Sequence, residues 1–330
     1  MSEPGGYFDT DNLISNESSY LHVIGGMDLH ELQGGAYLGV GPETNFSYIA
    51  HQRPEMAFVL DIRRDNLWLH LYYKALFVLA PDRAQFLALH IGRKPLVHPP
   101  DSLEALMAAI EAQPRDAREE ARVIRTVLET VATFGVPLDD EARQVIEEIH
   151  RQFAGEGFAL RFNSHNRSPR PYYPTYRQLI LGRDLDGEYA HYLARPEDYA
   201  FLREMQRQDR IVPVVGDFAG PRALRAIGVY LKEHGHILRV FYTSNVEYYL
   251  ASDGRFAAFM ENVRQLPIDS SSVFIRSLFN RFSFDHPQNI PGHASTQLMQ
   301  RIGPTIDSYD SGSLRSYTDL VFMHGLELKP

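Results

Sequence analysis

Short apolar runs alternate with longer stretches whose apolar residues recur at helical spacing, and that alternation predicts an α/β protein. Ala36-Tyr37-Leu38-Gly39-Val40 is a strand candidate leading into a helix from Phe46. Ala57-Phe58-Val59-Leu60 is a second, closed by Asp61 and followed by a strongly apolar helix over 65–79 that carries the only tryptophan, Trp68. The rhythm resumes with Ile211-Val212-Pro213-Val214-Val215, ending at Gly216-Asp217, and a helix over 221–234. Ile237 to Tyr242 forms the next strand, ending at Thr243-Ser244-Asn245 before a helix that starts with Val246-Glu247-Tyr248. Ser272-Val273-Phe274-Ile275 and Thr318 to Met323 are the remaining strand candidates. Strands that alternate with helices imply a doubly wound, mostly parallel sheet.

Two segments depart from this rhythm. Residues 1–33 read as a polar lead with one short helical turn, capped by Ser18 or Ser19 before Tyr20 and stopped at Gly25-Gly26. Between the second helix and the third strand the chain runs far beyond the roughly 2–6 residues of an ordinary connection, so an inserted helical subdomain is expected. We divide the chain into the lead, a first half-domain over 34–80, a helical insertion or lid over 81–205, and a second half-domain over 206–330. The insertion should hold amphipathic helices near 101–113, 115–134 and 139–154, with Asp101 and Ser102 as cap candidates, and an irregular loop over 157–178.

Composition narrows the chemistry. The 330 residues are 44% hydrophobic and 23% charged, which is globular composition, and the absence of cysteine excludes disulfides, thiolate metal sites and a cysteine nucleophile. A formal charge of −9 gives no overall field favouring nucleic acid or an anionic membrane. With no basic leader and no apolar run of about 18 residues, a cytoplasmic protein acting on a small molecule is expected.

Parallel sheets bind ligands beyond the carboxyl ends of their strands, so the residues there are the ones to read. Gly39 and Gly41 permit a tight turn and close backbone approach, and Asp61 falls where a ribose-binding carboxylate stands on the second strand. A dinucleotide loop would carry a third glycine where this chain has Glu43, after Pro42. A carboxylate there repels a pyrophosphate and suits an ammonium and a sulfonium, which favours S-adenosyl-L-methionine over NAD. Arg63-Arg64 pulls the other way, since an arginine after Asp61 could neutralise the 2′-phosphate of NADP.

Leu38-Gly39-Val40-Gly41 with Asp61, Gly216-Asp217 and the run Phe241 to Leu250 resembles the class I S-adenosylmethionine-dependent methyltransferases, a Rossmann-like fold. From Gly35 to Ser277 the chain more closely resembles an uncharacterised bacterial family sharing the phrases Val-Val-Gly-Asp-Phe-Ala-Gly and Ser-Asn-Val-Glu-x-Tyr-Leu. The resemblance implies that Gly39 and Gly41, with Glu43 and Asn45 following, shape the loop beside the amino-acid part of the cofactor. It implies that Asp61, next to Arg63, holds the ribose hydroxyls, and that Asp217 and Phe218 hold the adenine. Ser244 and Asn245 then face the methyl group. The chain lacks the third glycine of the first motif and any Asn-Pro-Pro-Tyr segment, so transfer to an exocyclic amine is not supported by motif. Glu247 and Tyr242 are the general-base candidates, although Glu247 in a first helical turn also suits the helix dipole.

From Gly157 to Arg183 there is no acid but five arginines, Arg161, Arg167, Arg170, Arg177 and Arg183, interleaved with Phe162, Tyr172, Tyr173 and Tyr176. That excess suggests a substrate loop in which Tyr173, Tyr176 and Arg177 select an anionic or aromatic molecule. The acidic remainder argues against nucleic acid. His234, His236, His286 and His293, with Asp285, match no metal spacing, and no metal is expected. There is no Gly-x-Ser-x-Gly elbow for serine hydrolysis. A methyltransferase is thus the first expectation, an NADP-dependent oxidoreductase the second and a non-catalytic nucleotide sensor the third.

Overall fold

In a computed structural model, described over residues 1–165, 170–279 and 286–329, the apolar runs assemble into one six-stranded sheet. Its strands are β1 (Ala36–Gly39), β2 (Met56–Asp61), β3 (Ile211–Val215), β4 (Leu238–Ser244), β5 (Val273–Phe279) and β6 (Ser295–Arg301). They lie in the order β3-β2-β1-β4-β5-β6. The first five are parallel, and β6 runs antiparallel to β5. The fold is therefore a doubly wound α/β sheet whose order reverses between β1 and β4, where such sheets open a crevice.

Side chains on successive strand residues point to opposite faces, and both faces are covered. Ala36, Leu38, Phe58, Leu60 and Phe241 pack under the helices Ala223–Glu233 and Phe256–Val263. On the other face Tyr37, Ala57, Val240 and Tyr242 join a larger core with the helices Thr44–Gln52 and Arg64–Leu79. The helices Leu103–Glu111, Ala117–Ala132 and Asp140–Glu156 add Leu106, Val127 and Ile146 to that same core. Each starts where an acceptor side chain satisfies a free amide: Ser102 takes the amide of Ala105, Asp116 that of Arg118 and Asp139 that of Ala142. Among the described residues no helix is long and apolar enough to cross a membrane.

Three readings of the sequence are corrected. Thr318 to Met323 is not a strand: Ser316 caps a helix, Tyr317–Phe322, by accepting the Asp319 amide at 3.1 Å, and Leu320 and Val321 are buried. The place at the sheet edge belongs to β6, whose sequence Ser-Thr-Gln-Leu-Met-Gln-Arg does not read as an apolar run. Its polar side chains are buried because each finds partners; Gln300, for example, accepts from Arg276 at 2.6 Å and donates to the Leu320 carbonyl at 2.7 Å. In the lead, Gly25-Gly26 does not stop the turn. A 3-10 turn, Tyr20–Val23, continues into the helix Ile24–Leu29, and a Cβ on Gly26 would lie 2.8 Å from the Met299 methyl. Ser19 makes no cap and bonds the Ser295 carbonyl instead, at 2.7 Å.

Candidate functional site

The carboxyl ends of β1, β2, β3 and β4 open into a single cleft of about 870 Å³, within the ~300–1,000 Å³ range of small-molecule sites. Gly41, Asp61, Arg63, Asp217, Phe218, Tyr242, Ser244 and Asn245 line it, as does Tyr173 from the irregular loop.

The two glycines serve different ends. A Cβ on Gly39 would collide with the Asn45 amide oxygen at 1.9 Å, so this glycine makes room for protein. Asn45 does not line the cleft; it is buried as a staple of the loop, donating to the carbonyls of Val40 and Pro42 at 2.9 and 2.7 Å and accepting from the Tyr37 hydroxyl at 2.8 Å. Gly41 has φ +83, and open space lies over it, which is where a ligand can approach. The neutral imidazole of His70 bonds the Gly41 carbonyl from below at 2.8 Å; burial holds its pKa down to about 4.

Glu43 is turned away from the cleft into the helical layer, with the Tyr73 hydroxyl 3.5 Å away. Burial pushes its carboxyl up to about 8, so at neutral pH it is protonated and cannot supply the negative charge that the sequence reading assigned to it. Asp61 and Asp217 do face the shared cleft. Asp61 accepts the Arg63 amide at 2.8 Å and the Arg63 guanidinium at 3.2 Å. Arg63 also donates to the Asp11 carbonyl at 2.7 Å and is thus committed to protein partners. Asp217 accepts the Ala219 amide at 2.8 Å and Arg255 at 2.6 Å. Phe218 lies edge-on to Phe241 at 5.0 Å.

The candidate bases are also re-sorted. Glu247 does not line the cleft; it is buried in a two-pronged pair with Arg276, at 2.6 and 3.0 Å, and accepts from Thr243 at 3.0 Å. Tyr242 does line it, but burial and then the Glu17 carboxylate hold its hydroxyl well above the ordinary tyrosine range, so it serves as a donor and not as a base. Ser244 sits at φ +53, beside a register shift between β4 and β5. A non-glycine residue there stores strain on the order of 1–3 kcal/mol, and the twist turns Oγ onto Glu17.

Glu17 is the residue that sequence reasoning missed. It comes from the lead, is 2% exposed and lines the cleft. Its carboxylate accepts from the Tyr242 hydroxyl and the Gln297 amide, both at 2.8 Å, and from Ser244. The lead as a whole straps the strand ends. Glu3 pairs with the Val215 carbonyl through its amide at 3.0 Å and accepts the Asp217 amide at 3.0 Å, while Gly6 donates to Ile62 at 2.7 Å.

The arginine loop contributes less than its composition suggests. Tyr176 is buried against His90 and Phe153, because the helix Tyr176–Ile180, closed by a Thr175–Gln178 capping box, turns it inward. Arg177 pairs with Glu111 at 2.5 Å, Arg161 with the Tyr173 carbonyl at 2.5 Å and Arg183 with the Gly187 carbonyl at 2.5 Å. Arg170 alone of these lines the cleft, beside Tyr172; Arg167 lies outside the described residues. Among the described residues no three His, Asp or Glu side chains converge to hold a metal ion. His236 pairs with Glu55 at 2.7 Å, His286 bonds the Val321 carbonyl at 3.1 Å and His293 bonds Ser18 at 3.1 Å, while Asp285 falls outside the described residues.

The family described as "Domain of unknown function (DUF7790)" matches residues 13–308. The chain belongs to this family. No curated protein matches it. Similar solved structures include two of the rRNA methyltransferase aviRa from Streptomyces viridochromogenes, each 14% identical, covering 89% of this chain and 94% of that one with a TM-score of 0.29. A likeness of that size carries no argument about this family's reaction or substrate. The matched span takes in Glu17, Asp61, Asp217 and Ser244, while Tyr7, Phe8, Asp9, Thr10 and Asn12 of the cleft lining precede it.

Proposed function

We propose that this protein binds S-adenosyl-L-methionine in the cleft and is a methyltransferase-like protein acting on a small molecule. One observation carries the reading: Gly41, Asp61, Asp217 and Ser244, from four neighbouring strand ends, line one cleft in which acids outnumber bases. Among the described residues Asp9, Glu17, Asp61, Asp217 and Asp253 stand there against Arg63, Arg170, Arg255 and His293. Such a lining suits a cationic nucleoside and opposes a phosphorylated one. The NADP alternative needs a free arginine in the cleft beside Asp61; Arg63 is already taken, and Arg64 is exposed and does not line the cleft.

Asp61 offers lone pairs to ribose hydroxyls and Asp217 to an adenine amine, with Phe218 beneath. When bound, the cofactor supplies an electrophilic methyl group on a sulfonium. The protein's part is alignment: Gly41 lets the ligand approach the protein backbone, and the strained Ser244, followed by Asn245, borders the reacting end.

The test is thermal unfolding with S-adenosylmethionine, S-adenosylhomocysteine and NADPH, each at about 100 times a micromolar Kd, where a ligand stabilises the native state by about 2.7 kcal/mol. We expect the two sulfur ligands to raise the Tm by several degrees, and Asp61→Ala to abolish that rise measured against its own unliganded Tm. A response to NADPH alone would overturn the reading.

A further inference from the structure

Six acidic side chains are buried among the described residues. Four have an arginine: Asp61 with Arg63, Glu119 with Arg122, Asp198 with Arg53 and Arg195, and Glu247 with Arg276. Glu43 is held protonated by burial. Glu17 alone has neither. Its three partners are a tyrosine hydroxyl, a serine hydroxyl and a glutamine amide, all donating, and no Lys, Arg or His among the described residues lies within ion-pair distance of it. A buried carboxylate served only by neutral donors is costly unless something else supplies positive charge, and the open side of Glu17 faces the cleft.

The surroundings fit such a guest. Phe8 and Tyr249 meet edge-to-face at 5.1 Å, and Phe162 and Tyr173 at 5.0 Å, all four lining the same cleft. Aromatic rings and a carboxylate lining one cleft are a combination that holds organic cations. Of the arginines lining the cleft, Arg63 and Arg255 are paired with Asp61 and Asp217, and Arg170 bonds the Tyr172 hydroxyl. Arg161 and Arg183 are each held by a backbone carbonyl and Arg177 by Glu111.

We propose that Glu17 is the cleft's receptor for a cationic nitrogen, so that the molecule bound beside the cofactor is an organic amine. The inference rests on the cofactor reading above and goes beyond it by naming the class of the second ligand and the residue that selects it. Because Glu17 is bonded to Ser244 at the end of β4, next to β1 and its Gly41 loop, the nitrogen it holds lies at the reacting end of the cofactor.

Sinefungin, which carries a primary amine where S-adenosylmethionine has its methylsulfonium, places such a nitrogen there without any knowledge of the natural acceptor. We expect calorimetric titration of the full chain to show sinefungin binding at least tenfold tighter than S-adenosylhomocysteine. Glu17→Gln should bring that ratio close to one while leaving the S-adenosylhomocysteine affinity within about threefold. Glu17→Asp, which keeps the charge and guards against a folding defect, should give an intermediate ratio. Binding of S-adenosylhomocysteine with a ratio unmoved by either variant would overturn this inference alone. Failure of both ligands to bind wild type would overturn the cofactor reading, and this inference with it.

Discussion

Glu17 and Glu247 stand on either side of β4, both buried, and are compensated in opposite ways. Glu247 meets the Arg276 guanidinium prong to prong, with Thr243 and Gln300 completing the cluster, and it has no face on the cleft. Glu17 meets only hydroxyl and amide donors and does face the cleft. A carboxylate whose charge is matched inside the protein holds the fold together, whereas one left for a guest to match marks a site. Glu43, buried beside Tyr73, takes a third course and keeps its proton.

The largest effect should come from breaking the matched pair. Arg276→Ala leaves Glu247 buried with no cation and should cost about 3–5 kcal/mol in denaturant unfolding. Glu17→Gln, by contrast, should change stability by less than about 1 kcal/mol, since the amide can still accept from Tyr242 or Ser244. If the two variants were equally destabilised, the distinction between them would be lost.

Glu43 offers a smaller, pH-dependent contrast. The folded state keeps the proton up to about pH 8, while the unfolded chain releases it near the ordinary carboxyl value. Ionisation therefore favours unfolding as the pH rises from about 4.5 to about 8. Glu43→Gln should remove that loss, raising stability on the order of 2–4 kcal/mol at pH 8 and leaving it unchanged at pH 4. Equal effects at both pH values would mean that the side chain acts through packing alone.

How much of this was legible in the sequence follows from the range of the interactions. β1 to β5 announce themselves as short apolar runs because both faces of a covered parallel sheet are dry. Asp61, Asp217 and Ser244 were legible because a strand end is a local event and parallel topology sends all such ends to one side. β6 was hidden because polar side chains such as Gln297 and Gln300 become strand residues only when Glu17 and Arg276 arrive to satisfy them. Glu43 was misjudged because position in a loop does not say which way a side chain turns. Glu17 could not have been found from its neighbours in sequence, since its Tyr242 partner lies 225 residues on. Only the fold brings the lead across the strand ends.

A crystal structure of the protein grown with saturating S-adenosylhomocysteine tests the central claim most directly. The account predicts the ribose on Asp61, the adenine between Asp217 and Phe218, and the thioether sulfur between Gly41 and Ser244 with the open side of Glu17 beyond it. A cleft that stays empty at saturation, or a ligand seated elsewhere on the molecule, would contradict it.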